Sequence, residues 1–132
     1  MDAARLAQIP LFADLADDER AEVASRMREV TVDAGTTLAR EGDHAYELFV
    51  IEAGDADVHK GGEIVRKLGP GDVFGEIGLL ATGTRTASVV ATSPMQLVAM
   101  FSREYKQLEG HMPGLAKALR ETMAKRVAET SF

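Results

Sequence analysis

The sequence contains no cysteine. Disulfides, thiolate metal sites and a cysteine nucleophile are therefore excluded. It contains no apolar run near the roughly 20 residues that span a bilayer. The N-terminus, Met1-Asp2-Ala3-Ala4-Arg5-Leu6, has no long apolar stretch behind it, so no signal peptide is read there. Neither membrane insertion nor export is expected, and the expected location is cytoplasmic. Basic charge is in short supply: 15 Lys and Arg stand against 21 Asp and Glu, a net charge of −6. An acidic chain is poorly suited to wrapping DNA or lying on an anionic membrane, although one local basic spot can still take an anion. Histidine is scarce and scattered: His44, His59 and His111 share no strand spacing that would make a metal-dependent β-roll enzyme, so no metal is expected. No serine sits in a nucleophile elbow and no general-base pair stands out, so enzyme activity is not expected. Internal repeats and low-complexity segments are also missing.

What is present is an ordinary globular composition, 45% hydrophobic and 27% charged over 132 residues. That length suits one domain with one real core. No second, effector-type domain is expected beside it. The organisation changes twice along the chain. Residues 1–28 read as helices. Leu6, Ile9, Leu11 and Phe12 surround a break expected at Pro10, and Asp17, Asp18 and Glu19 suit the first turn of a following helix. Residues 29–101 carry short apolar runs with a turn signal about every 8–12 residues, which predicts an all-β sandwich or roll. Gly61-Gly62 stands at hairpin spacing, and Gly69-Pro70-Gly71-Asp72 is a strong turn. Residues 102–130 return to helix. Ser102 is a candidate cap, Gly110 a candidate stop and Pro113 a first helical residue. Leu115, Leu119, Met123 and Val127 form one apolar stripe, read as a face packed on the roll, with a lid or a homodimer seam as the second reading. The expected fold is mainly β: a β-roll (double-stranded β-helix or jelly-roll) with N-terminal helices and two C-terminal helices.

One stretch carries chemistry: Phe74-Gly75-Glu76-Ile77-Gly78-Leu79-Leu80-Ala81-Thr82-Gly83-Thr84-Arg85-Thr86-Ala87-Ser88. Gly75 allows close backbone approach. Glu76 to Leu80 suit one short helical turn, whose free amides favour an anion. Arg85 offers a planar fork that matches two phosphate oxygens. Glu76 accepts from hydroxyls. Amides, an arginine and a carboxylate together describe a sugar-phosphate site.

This stretch resembles the phosphate-binding cassette of cyclic nucleotide-binding domains. The likeness extends over almost the whole chain, through Ile9-Pro10-Leu11-Phe12, Ala34-Gly35, Arg40-Glu41-Gly42-Asp43, Phe49-Val50-Ile51, Gly54 and Leu68-Gly69-Pro70-Gly71-Asp72. The resemblance implies that Arg85, Thr86 and the amide of Ala87 take the phosphate. It implies that Glu76, with the backbone of Gly75 and Ile77, takes the ribose. The tail Met123 to Ser131 resembles the end of the dimer helix of catabolite-activator-type regulators, which makes Thr130 and Ser131 candidate base contacts. Those regulators continue into a DNA-reading helix-turn-helix, and nothing here resembles its recognition helix. The implied ligand is cyclic AMP, with cyclic GMP as the alternative, because Thr86 fits a position that favours guanine in some members. The implied role is a stand-alone sensor that reports to an effector protein without binding DNA itself. The alternatives are a nucleotide-independent interaction module of the same fold, or a regulator that joins a transcription complex without touching DNA.

Overall fold

A computed structural model describes residues 1–43, 47–74 and 87–129. Three short helices come first: α1 (Ala3–Leu6), α2 (Pro10–Ala13) and α3 (Asp17–Ser25). Eight described strands follow: β1 (Arg28–Val32), β2 (Thr37–Ala39), β3 (Glu47–Ala53), β4 (Ala56–Lys60), β5 (Glu63–Leu68), β6 (Val73–Phe74), β7 (Ser88–Ala91) and β8 (Met95–Phe101). Helices α4 (Ser102–His111) and α5 (Pro113–Glu129) complete the described chain.

The strands form two antiparallel sheets. One has the order β1-β8-β3-β6 and the other β2-β7-β4-β5. Two apolar clusters result. The interior cluster lies between the sheets and includes Phe49, Ile51, Ala56, Val58, Leu68, Phe74, Ala87, Val89, Leu97 and Ala99. The second lies on the other face of the first sheet, where Leu48, Val50, Val98 and Met100 meet Leu6, Phe12, Val23, Tyr105, Leu108, Leu115 and Leu119 of the helices. Strands β3 and β8 are covered on both faces, so their sequences are unbroken apolar runs rather than alternating ones.

Local chemistry explains most boundaries. Pro10 opens α2 instead of ending α1, since its missing N–H is no loss at a first helical position. The break falls earlier, after Leu6. Arg20 then satisfies the end of α2, donating to the carbonyls of Phe12, Ala13 and Leu15 at 3.2, 2.7 and 2.6 Å. Asp17, Asp18 and Glu19 do occupy the first turn of α3, and Glu19 accepts from the Ala16 N–H at 3.1 Å. Gly61 and Gly62 join β4 to β5 at φ of 60° and 84°, the paired positive angles of a two-residue hairpin. In the next turn the Gly69 N–H donates to the Asp72 carboxylate at 2.8 Å.

Two helix boundaries differ from expectation. Ser102 is the first residue of α4 and Phe101 its cap position, with no side-chain cap. Phe101 is held as the last residue of β8 by pairing with Glu47, so strand passes straight into helix. Gly110 lies inside α4, which runs one residue further. The stop comes from Pro113, which drives the preceding Met112 out of helical geometry to φ −136° and ψ 73°. The stripe on α5 is buried at Leu115 and Leu119 in the helix-side cluster. The side chains of Met123 and Val127 lie outside what is described.

Candidate functional site

The described residues that flank the cassette are Phe74 and Ala87. Phe74 is the last residue of β6. It pairs with Phe49, and their rings stack at 4.9 Å between centroids. Ala87 is buried in the interior cluster directly before β7. Ser88, the first residue of β7, accepts from the Glu41 N–H at 2.9 Å. The Glu41 carboxylate in turn accepts from the Gly61 N–H at 3.2 Å. The returning end is thereby tied to the loop after β2 and to the β4–β5 turn. The cassette joins an edge strand of one sheet to an inner strand of the other.

Of the expected site residues, Ala87 is described. Gly75, Glu76, Ile77, Arg85 and Thr86 lie outside the described residues, as do the helical turn expected at 76–80, Thr130, Ser131 and His44. The inner side of the second sheet is described: Val89 and Ala91 on β7, Ala56 and Val58 on β4, Leu68 on β5, all buried in the interior cluster. Arg66 joins that side opposite Val58. From sequence, Arg66 reads only as one of the charges flanking Ile64-Val65. Counting back by two from Leu68 is the signal that places it on the inner face. Among the described residues no group of three or more His, Asp or Glu side chains is placed to share a cation.

The C-terminal helices carry a second polar feature. The buried Tyr105 hydroxyl donates to the Ala116 carbonyl at 3.0 Å and accepts from Arg120 Nε at 3.1 Å. Burial raises the Tyr105 pKa, against the opposing hydrogen bond and charge of Arg120. On the other side of the first sheet, Arg5 of α1 clamps Glu52 through two hydrogen bonds of 2.9 and 2.7 Å and reaches Glu29 at 2.6 Å.

The family model of the cyclic nucleotide-binding domain matches residues 29–109, the two sheets and most of α4. The chain belongs to the cyclic nucleotide-binding domain family. This is a binding and regulatory fold. The chain is 33% identical over 128 residues to the cyclic AMP receptor protein of Thermus thermophilus, a match covering 93% of this chain and 59% of that one. It is 31% identical over 114 residues to a cAMP-dependent protein kinase regulatory subunit of Colletotrichum orbiculare, covering 85% of this chain and 29% of that one. It thus spans under two thirds of each of these relatives. The crystal structure of the N-terminal domain of a transcriptional regulator from Streptomyces coelicolor superposes with a TM-score of 0.74 at 33% identity, covering 92% of this chain and 88% of that one. The β-roll with flanking helices expected from sequence is the architecture of this family. Among the described residues no helix is long and apolar enough to cross a membrane.

Proposed function

We propose that this domain is a reversible sensor of a purine 3′,5′-cyclic nucleotide, passing the binding event to a partner protein through α4 and α5. The observation that carries the reading is the cassette of residues 74–88, with Glu76 and Arg85, set between β6 and β7 of a cyclic nucleotide-binding domain. Arg85, Thr86 and the Ala87 amide take the cyclic phosphate. Glu76 and the backbone of Gly75 and Ile77 take the ribose. Thr130 and Ser131 are placed by sequence to meet the base. Cyclic AMP appears in the names of the two relatives above and is the nucleotide expected from the sequence.

The output follows from differential affinity. A ligand shifts an equilibrium only by as much as it prefers one state over the other. Closure of the cassette on the phosphate supplies that preference, and the α4–α5 junction at Met112-Pro113 transmits it. Helix α5 carries it on to an effector, or to a second copy of the chain.

Titration calorimetry with cyclic AMP and cyclic GMP on wild type and Arg85→Ala tests the reading. A charge-assisted contact of this kind is worth roughly 2–5 kcal/mol, so Arg85→Ala is expected to weaken binding at least about thirtyfold. Equal affinity of the two proteins overturns it. Absence of binding to wild type favours the nucleotide-independent interaction module.

A further inference from the structure

Just after the cassette, side chains fasten strands at the point where their ladders stop. Ser88 opens β7, which lies between β2 and β4. On the β4 side Ser88 pairs with His59. On the β2 side the ladder reaches only Val89, which pairs with Ala39. The chain from β2 then leaves the sheet, and its Glu41 N–H donates to the Ser88 side-chain Oγ at 2.9 Å. The Glu41 carboxylate accepts from the Gly61 N–H at 3.2 Å, in the turn that follows β4. A clasp therefore runs from the β4–β5 turn through Glu41 to the first residue of β7.

Ala87 precedes that residue and is buried in the interior cluster. Its amide is a phosphate donor in the reading above. A backbone amide has no rotamer with which to follow a ligand, so the residues beside it set its aim. A binding group has to be held within about 0.5 Å and 10–20° of its productive geometry, and hydrogen bonds behind it do the holding. Here the Ala87 methyl group is held by the cluster, and the next residue is held by the clasp. Without the Ser88 hydroxyl, Ser88 keeps its pairing to β4 and loses its tie to the β2 side.

We propose that Ser88 and Glu41 are positioning residues for the nucleotide phosphate, the clasp to Gly61 fixing the Ala87 amide in the orientation that the phosphate needs. This rests on the cyclic-nucleotide reading and assigns neither side chain a contact with the nucleotide.

The test is titration calorimetry with the tighter binder of cyclic AMP and cyclic GMP. Ser88→Ala is expected to weaken binding about fivefold, and Ser88→Thr, which keeps the Oγ, to bind within about twofold of wild type. Glu41→Ala is expected to weaken it about threefold, and Glu41→Gln, which keeps an acceptor for Gly61, to stay within about twofold. In the Ser88→Ala background Glu41→Ala is expected to add nothing, because the tie to Gly61 no longer reaches Ala87. The control is Ser93→Ala. Ser93 lies between β7 and β8, and its Oγ accepts from the Asp55 N–H, also at 2.9 Å. Ser93→Ala removes the same kind of bond, so it is expected to lose similar stability in urea and to keep its affinity. Unchanged affinity in Ser88→Ala overturns the inference and leaves the sensor reading intact. Additive losses in the double variant also overturn it. So does a Ser93→Ala that weakens binding as much as Ser88→Ala, since general loosening then accounts for both. Failure of wild type to bind either nucleotide overturns the sensor reading and the inference together. Should Ser88→Ala not fold, the exposed Glu41 carries the test, and equal affinity of Glu41→Ala and Glu41→Gln overturns the inference.

Discussion

The hydroxyl of Tyr105 on α4 donates to the backbone carbonyl of Ala116 on α5, 3.0 Å away, and both residues are buried. This bond spans the α4–α5 junction. Arg120 completes it, donating to the same hydroxyl at 3.1 Å and to Glu109 at 2.8 Å, with its guanidinium 5.6 Å from the Tyr105 ring centroid. The angle between the two helices is thus set by polar contacts as well as by Leu108, Leu115 and Leu119.

Tyr105→Phe keeps the ring and removes both bonds. It is expected to destabilise the fold by about 1–2 kcal/mol in urea denaturation. The pH dependence has a definite sign. The tyrosine pKa is raised above its ordinary 10.0, chiefly by burial. Its contribution is fully present below pH 10 and is lost as pH rises through the folded-state value. Alkaline destabilisation is therefore expected to be smaller in Tyr105→Phe than in wild type. A variant that loses stability equally at every pH contradicts this.

Gly54, between β3 and β4, has φ of 92°, and a Cβ there would lie 2.9 Å from the Met95 Cα. Both the backbone angle and the space exclude a side chain. Gly35 has a similar φ of 89° with open space around it. Gly35→Ala is expected to cost about 1–2 kcal/mol from the angle alone. Gly54→Ala is expected to cost more, and the difference in unfolding free energy measures the contact with the β8 backbone. Equal losses would show that the backbone yields.

Arg5 holds α1 to the first sheet through Glu52 and Glu29. The pair is partly exposed, so Arg5→Ala is expected to cost only about 1 kcal/mol. High salt should reduce that difference. Nucleotide affinity should stay unchanged, because none of the three residues belongs to the cassette. Amide exchange of α1 checks the first expectation and calorimetry the second.

What could be read from the sequence was whatever depends on neighbours along the chain. The Gly61-Gly62 hairpin and the Gly69-Pro70-Gly71 turn are dictated by backbone angles that few residues accept. The acidic first turn of α3 follows from the helix dipole. The cassette is legible because its spacing is contiguous. Ser102 and Gly110 were misleading because the boundaries there are set by partners elsewhere, Glu47 across the sheet and Pro113 beyond the helix. The faces of Ile64 and Val65 were hidden by a register shift between Val58 and His59, which makes Val65 an extra residue on β5, whereas Arg66 keeps the alternation counted from Leu68. Ile64 and Val65, apolar by composition, are 55% and 44% exposed, while the arginine beside them pairs with Val58 on the inner face. Strand alternation alone cannot place a bulge that the partner strand creates. The Tyr105–Ala116 bond was likewise invisible, since it needs the angle between two helices.

The path of the chain through the two sheets has a kinetic consequence. Among the described strands, only β4 and β5 pair as neighbours in sequence. Every other pairing closes a long loop, whose entropy is lost before its contacts form. Such a topology folds slowly, in roughly the millisecond-to-second range, whereas the β4–β5 hairpin can form within microseconds. During synthesis Arg28 emerges long before Ala99, its partner across β1 and β8. The first strand made must wait for the last one, so the roll closes only once nearly the whole domain has left the ribosome.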